Sequence, residues 1–385
     1  MKTRVLFLIS RFLDGGIDTV LVEYLRHFNA QCYDVSFAIG MRMEDMEVHL
    51  SKIPASVHVS HLVSSSRLTA LRRQKIRQKL PKHLRLFDEI CLNPIRRLQV
   101  RHRLNRLIRR HDVVVDFDGM FSSFLKGTSV RTIGFHHFSL TAHSKRLARR
   151  FAAYDHVVVI SKAMQDEFQA CYPSLHNKVH CIYNGMDIAE LTQRAEADYK
   201  IPLPNTRFLL AVERLEESQK DITTLLHAYA QYANNTPVAI PLLILGEGKS
   251  RTELEQLTRE LNLTERVHFG GFIPNPIPYI KQCAALLHSA KFEGLPTVLI
   301  EALLLDKPIV ATDCPTGPRE ILDNGQAGRL VPMGNASAMA AAIQEVLQEG
   351  SQETPQETTN RHARHEHKRL FDIHNSIKEL EKLWQ

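Results

Sequence analysis

No run of about 18 apolar residues occurs in this sequence, so no transmembrane helix is expected. No two cysteines form a CxxC pair; the six, at 32, 91, 171, 181, 283 and 314, are scattered. That excludes a cysteine zinc site and a disulfide scaffold, and it suits a reducing compartment. The amino end has Lys2 and Arg4 before a short apolar run, but Arg11 and Asp14 follow and no small-residue cleavage site does. It reads as a first β-strand, not a signal peptide. The one histidine cluster, His362, His365 and His367, lies among Arg and Lys and reads as a solvated helical face. What remains is ordinary for a soluble globular chain: 44% hydrophobic and 24% charged residues over 385 positions, enough for two or three cores.

Charge is unevenly distributed. Between Arg67 and Arg110 fifteen Lys and Arg face two acids, Asp88 and Glu89, in a chain whose net charge is only +7. Leucines and isoleucines recur there at helical spacing, as in "LTALRRQKIRQKL" and "IRRLQVRHRLNRLIRR". These are basic amphipathic helices, with Arg72, Arg73, Arg77 and Lys79 among the cations expected to meet an anionic surface. There are no interleaved aromatics and no nucleic-acid-binding motif, so nucleic acid is not the expected partner.

Elsewhere strands and helices alternate. "TRVLFLIS", "YDVSFAIG", "HDVVVDFD", "RTIGFHH", "DHVVVIS" and "KVHCIYNGMD" form one series. "RFLLAVERL", "PLLILGEG", "VHFGGF", "AALLHSA", "KPIVATD" and "AGRLVP" form a second. The helices "ITTLLHAYAQYA", "RTELEQLTRELN" and "PTVLIEALLL" lie between members of the second series. Such alternation predicts βαβ units and parallel sheets, hence two doubly wound α/β domains joined near residues 186–205. A polar segment at 348–360 precedes the last helix. There Leu370, Ile373, Ile377, Leu380 and Trp384, the only tryptophan, make one apolar stripe.

Ligands of open parallel sheets bind beyond the carboxyl ends of the strands. Arg214 follows a strand, and Lys220 lies six positions on, before a helix; two such cations suit a diphosphate. Gly246, in "ILGEGKS", and Gly271 with Phe272, in "FGGFIPN", stand at further strand ends; Gly15 and Gly16 follow the first strand. In "KFEGLPTVLIEALLLDKP" a loop carrying Glu293 leads into a helix that starts near Pro296 and is apolar nearly all round. Glu301 is therefore a carboxylate on a buried helix, where it costs free energy unless something binds it.

The second half resembles the retaining nucleotide-sugar glycosyltransferases of family 4 (group 1), the type found in bacterial lipopolysaccharide and capsule synthesis. Their hallmark is a Glu, seven residues, then a Glu, matched by Glu293 and Glu301 in "FEGLPTVLIEAL". "YNGMD", "TDCPTGPREIL", "GRLVP" and the Gly15-Gly16 turn are similar too. The resemblance implies the GT-B architecture: two Rossmann-like domains facing across a cleft, with the C-terminal helix crossing back to the first. The acceptor domain would be 1–187, with a basic helical insert at 65–112. The donor domain would be 188–369, and 370–385 the crossing helix. It implies a retaining transferase that moves a hexose or N-acetylhexosamine from a nucleotide sugar, UDP-linked by analogy, to a glycan or lipid-linked acceptor.

Residue by residue, the resemblance gives Glu301 the ribose hydroxyls and Glu293 a place beside the sugar. Gly294, Leu295 and Thr297 would offer amides, and Arg214 and Lys220 would hold the diphosphate. Gly16, Gly246, Gly271 and Phe272 join the donor site, and a histidine near the sugar is met by His136 or, by spacing, His137. It implies no metal and no cofactor beyond the donor; Asp116-x-Asp118 offers a rival metal motif. Location would be cytoplasmic, on the membrane face through residues 67–110. Glu213 departs from the family's usual glycine and would either weaken the phosphate site or fold away from it. A soluble-acceptor synthase, a sugar-nucleotide epimerase and a catalytically inactive scaffold remain alternatives on the same architecture.

Overall fold

The computed structural model describes residues 2–13, 15–77, 80–137, 145–203, 207–349 and 367–385. Asp14, Lys79, His362, His365 and most of the polar segment at 348–360 lie outside the described residues. The chain divides into two compact units. The first comprises Met1–Ile160, Gln165–Gly185 and Ile373–Gln385; the second comprises Ser161–Met164 and Met186–Asp372.

The first unit holds a seven-stranded sheet: β1 (Thr3–Ile9), β2 (Tyr33–Met41), β3 (His58–Val63), β4 (Val113–Asp116), β5 (Arg131–His136), β6 (His156–Val159) and β7 (Val179–Cys181). Its order is β3-β2-β1-β4-β5-β6-β7, and every pairing is parallel. A sheet covered on both faces needs continuous apolar strands, and Val5 to Ile9 are all buried. β3 is not foreseen by the sequence reading. Its "HVSHLV" buries only Leu62 and Val63, so an edge strand carries little apolar signal. The first helix, Gly16–His27, starts one residue after Gly15, inside the segment read as a turn.

Ile373, Ile377 and Leu380 of the last helix, Ile373–Glu381, belong to this unit's core. Trp384 stacks on Phe28 and meets the edge of Tyr33. The stripe expected from sequence loses one member. Leu370 is exposed, because it stands in a short turn before the helix while its neighbour Phe371 is buried.

The second unit holds a six-stranded parallel sheet: β8 (Leu209–Val212), β9 (Leu242–Leu245), β10 (Val267–Gly271), β11 (Ala285–His288), β12 (Ile309–Thr312) and β13 (Arg329–Val331). The order β10-β9-β8-β11-β12-β13 puts the reversal of strand order between β8 and β11. Its core is built from those strands and the helices Ile222–Asn234 and Ala336–Glu349.

The basic segment is helical, in the pieces Ser66–Arg77, Lys82–Phe87 and Asn93–Ile108, with a widened turn at Asp88–Leu92. Not all its cations face outward. Buried Asp88 takes the guanidinium of Arg96 at 2.8 Å and that of Arg72 at 2.6 Å. Arg96 is itself buried and also donates to the Leu68 carbonyl. Arg73 pairs with Glu44 at 3.1 Å. The expectation that Arg72 and Arg73 meet an external surface is corrected: Asp88, an acid inside the basic block, draws Arg72 inward, and Glu44, from outside the block, takes Arg73. Lys75, Lys82, Arg85, Arg97, Arg101 and Arg106 remain exposed. Beside them Leu86, Phe87, Ile90, Ile95 and Leu98 are each about half exposed or more.

Candidate active site

The switch point between β8 and β11 collects five of the polar side chains at issue. β8 ends at Val212, and Glu213 and Arg214 leave it; β11 ends at His288, and the chain runs on to Glu293. The loop before the helix Ile222–Asn234 folds across these ends. Lys220 bridges to Ala290 as an isolated antiparallel pair, the Lys291 amide donates to the Gln219 carbonyl at 2.8 Å, and the Asp221 amide donates to Ser289 at 3.2 Å. Two loops remote in sequence are thus tied together, and Lys220 is carried over the end of β11.

Lys220 forms an ion pair with Glu293 Oε1. His288 also approaches that oxygen, with Nε2 at 3.5 Å, while its Nδ1 lies 2.8 Å from Glu213 Oε1. Glu213 Oε1 also accepts from the Ser289 amide at 2.9 Å. Glu213 and His288 are wholly buried. Burial pulls the His288 imidazolium down and Lys220 adds to that, but the carboxylates of Glu213 and Glu293 together raise it, and the net shift is upward. Burial pushes Glu293 up, but His288 and Lys220 overcome that and hold it at about 2. Glu293 is therefore a carboxylate throughout the working pH range. Removing one partner from a buried ion pair costs about 3–5 kcal/mol, so this cluster is expensive to disrupt. Glu213 resolves as the second of its two sequence-level alternatives, since it folds into the interior away from Arg214, whose side chain is exposed. Arg214 reaches Gln219 at 3.4 Å, and Gln219 reaches Glu293 Oε2 at 3.5 Å.

The Glu293 loop is held by the loop after β12. Thr316 donates to the Glu293 carbonyl, and the Glu293 amide donates to Pro315. Gly317 adopts φ +79°, and a Cβ there would come within 2.6 Å of the Gly294 carbonyl, so only glycine allows the two loops to meet. Among the described residues the amides of Gly294, Leu295 and Thr297 donate to no other group of the chain. They precede or open the helix Thr297–Leu304, whose amino end adds partial positive charge.

Glu301 stands on that helix between buried Ile300 and Ala302. It is partly accessible, and among the described residues its carboxylate makes no hydrogen bond or ion pair. Burial raises it to about 7, moderated by Arg194. A half-buried acceptor without donors suits hydroxyl groups brought by a ligand.

The glycines divide. Gly246, at φ +140°, is needed by the fold: a Cβ would come 1.9 Å from the Glu213 carbonyl, so β9 and β8 end in backbone contact. Gly271, at φ +72°, accepts from the Gly246 amide at 2.8 Å, and Phe272 after it is exposed. Gly16, in the first unit, has open space where a side chain would go.

Also in the first unit, His137 is buried between Phe117 and Phe135 and donates from Nε2 to the Phe117 carbonyl at 2.6 Å. Burial lowers it to about 4, so it is neutral; among the described residues its Nδ1 has no partner. His136 packs instead against the rings of Phe151 and Phe168. Asp116 accepts from the Phe121 amide at 2.6 Å and from the Tyr154 hydroxyl, and Asp118 accepts from the Ser10 amide at 2.9 Å. Both carboxylates of the rival metal motif are thus spent on the strand end of β4.

The sequence reading did not single out Gln219 or His288. The available signal for His288 was a polar residue closing the apolar strand "ALLH", beside the other strand-end oddity, Glu213.

Residues 14–190 match the model of Glycosyltransferase Family 4, and residues 193–365 match that of Glycosyl transferases group 1. The chain belongs to this glycosyltransferase family. It is 34% identical over 43% of its length to the N-acetylgalactosamine-N,N'-diacetylbacillosaminyl-diphospho-undecaprenol 4-alpha-N-acetylgalactosaminyltransferase of Campylobacter jejuni, and the match spans only 44% of that relative. It is 25% identical over 67% of its length, and 72% of the relative's, to the lipopolysaccharide 1,6-galactosyltransferase of Escherichia coli. The crystal structure of Anabaena HepE in complex with UDP shares the fold, with a TM-score of 0.73, 18% identity and 99% of each chain covered. Similarity to solved GT-B structures of this kind bears out the fold class expected from sequence.

Proposed function

We propose that the chain is a retaining glycosyltransferase that moves a hexose or N-acetylhexosamine from a UDP-sugar to a glycan or lipid-linked acceptor in bacterial cell-surface polysaccharide synthesis. The observation that carries this reading is the convergence, at the β8/β11 switch point, of Lys220, Arg214 and the free amides after Glu293. Such a set of cations and amides suits a diphosphate, with Glu293 beside it. Glu301, lacking donors of its own, suits the ribose hydroxyls. The leaving diphosphate's charge is met by side chains and amides, so the reaction needs no metal ion. The named acceptors of the Campylobacter and Escherichia coli relatives, a diphospho-undecaprenol glycan and a lipopolysaccharide, support a lipid-linked or polymeric acceptor.

The basic segment supports docking on an anionic cytoplasmic membrane surface. Exposed Lys82, Arg85, Arg97 and Arg101 stand among the exposed Leu86, Phe87, Ile90 and Leu98. Mixed cationic and apolar exposure is what an interfacial helix needs. Among the described residues no helix is long and apolar enough to cross a membrane.

The test is release of free UDP from a panel of UDP-sugars offered with lipid-linked and soluble glycans, with and without excess chelator. Turnover that survives chelation is expected. No turnover with any donor would return the chain to a scaffold role, and complete, metal-reversible loss would reopen the Asp116–Asp118 alternative.

A further inference from the structure

Lys220 has two claims on it. In this structure it neutralises Glu293, yet the donor site proposed above also requires it for the diphosphate. Once it also meets phosphate, its single charge is shared between two anions, and Glu293 keeps less of it. Behind Glu293 stands a second cation with no access to solvent, His288, backed by Glu213 at 2.8 Å. The four groups alternate in sign, Glu213, His288, Glu293, Lys220, and come from three elements: the end of β8, the end of β11 with its loop, and the loop before the helix Ile222–Asn234. Among the described residues Cys314, after β12, is a further titratable neighbour, with Asp313 beside it; burial pushes the Cys314 thiol up to about 12, so it contributes no charge.

We propose that Glu213 and His288 are positioning residues for the transfer reaction: a buried ion pair that keeps Glu293 ionised and aimed while the donor's diphosphate engages Lys220. This rests on the donor-site reading above. The geometry favours it over a purely structural pair. A structural pair would be complete with Glu213 and His288 alone, whereas His288 turns its second nitrogen toward the Glu293 oxygen that Lys220 also contacts. The Ser289 amide fixes Glu213 in place, and so fixes which His288 nitrogen faces forward. With Glu213 neutralised, the imidazole loses its nearer counterion and keeps only the Glu293 oxygen at 3.5 Å. Glu293 then faces a less charged ring while Lys220 is shared with phosphate, and it takes up a proton at a pH where the native enzyme does not.

The experiment compares the full chain with Glu213→Gln, which keeps shape and the Ser289 bond, and with Glu213→Asp, which keeps the charge. Thermal melting checks folding, calorimetry measures UDP binding, and steady-state transfer is measured from pH 5 to 8. Glu213→Gln should bind UDP within about threefold of wild type. Its kcat should fall with a new acid limb, about tenfold for each unit below that limb, while the wild type stays flat and donor KM changes little. Glu213→Asp should restore much of the flat profile. A folded Glu213→Gln with the wild-type profile, or with a loss confined to KM, would overturn the proposal. If Glu213→Gln does not fold, His288→Gln decides: an acid limb with UDP binding kept supports the proposal, and a profile identical to wild type overturns it. Failure of the wild type itself to bind UDP would instead remove the donor-site reading.

Discussion

Two glutamates eight positions apart have opposite electrostatic fates. Glu293 meets two cations and is held at about 2, whereas Glu301 meets no donor and is raised to about 7. The two leave opposite marks on stability. For Glu301 the folded state binds its proton more tightly than the unfolded chain, so stability is highest below about pH 4.5 and declines as pH rises toward 7. At pH 8 the ionised carboxylate costs on the order of 3 kcal/mol. Glu301→Gln should therefore melt higher than wild type at pH 8 and no higher at pH 4.5, while binding UDP more weakly. Equal melting temperatures at both pH values would mean that the carboxylate is already satisfied. The Glu293 and Glu301 positions could be read in the sequence because each is a polar residue where the apolar pattern has no use for one. The partners of Glu293 were less legible. His288 and Lys220 lie five and seventy-three positions from it, and only the pairing of β8 with β11 and the loop bridge at Ala290 bring them together.

Helices and strands were legible wherever burial repeats. The strands of both sheets with continuous apolar runs stand out, as do the helices Ile222–Asn234 and Thr297–Leu304. Edge strand β3, half exposed, does not. The basic segment's helical character was equally plain, but not the inward turn of Arg72 and Arg96. That depends on Asp88 being buried, a tertiary fact. The correction sharpens the expectation for this segment. Replacing Lys82, Arg85, Arg97 and Arg101 with Gln should weaken binding to anionic vesicles at least about tenfold at low salt, each charge near the surface being worth about 1 kcal/mol. Replacing Leu86, Phe87 and Ile90 with Ser should weaken it at high salt as well. Asp88→Asn should act otherwise, lowering the melting temperature by stranding Arg72 and Arg96. Sedimentation with vesicles and a melting curve separate these effects, and unchanged vesicle binding in both surface variants would leave the segment a solvated face.

On the scale of the whole chain, the last thirteen residues belong to the first unit although 187 residues of the second, Met186–Asp372, separate them from it. Ile373 packs against Gly185, where a Cβ would come 2.5 Å from the Ile373 Cα, and Ser376 donates to the Tyr183 carbonyl at 2.8 Å. Trp384 covers Phe28 and Tyr33. Deleting Ile373–Gln385 should uncover this apolar surface and destabilise the first unit by several kcal/mol, seen as a lower first melting transition. UDP binding should persist in part, because the residues proposed for the diphosphate and ribose, Arg214, Lys220 and Glu301, lie in the second unit. A truncated chain that melts like the full one would contradict the packing.

The central claim is that the donor's diphosphate sits at the β8/β11 switch point, between Lys220, Arg214 and the amides after Glu293. It is tested most directly by calorimetric UDP binding to wild type, Lys220→Ala and Arg214→Ala. Lys220→Ala leaves Glu293 facing His288, and Arg214 is exposed, so both variants should fold. Each loses a charged hydrogen bond worth about 1.5–3 kcal/mol, so UDP should bind about 10- to 100-fold more weakly to either. Wild-type UDP affinity in both folded variants would place the diphosphate elsewhere.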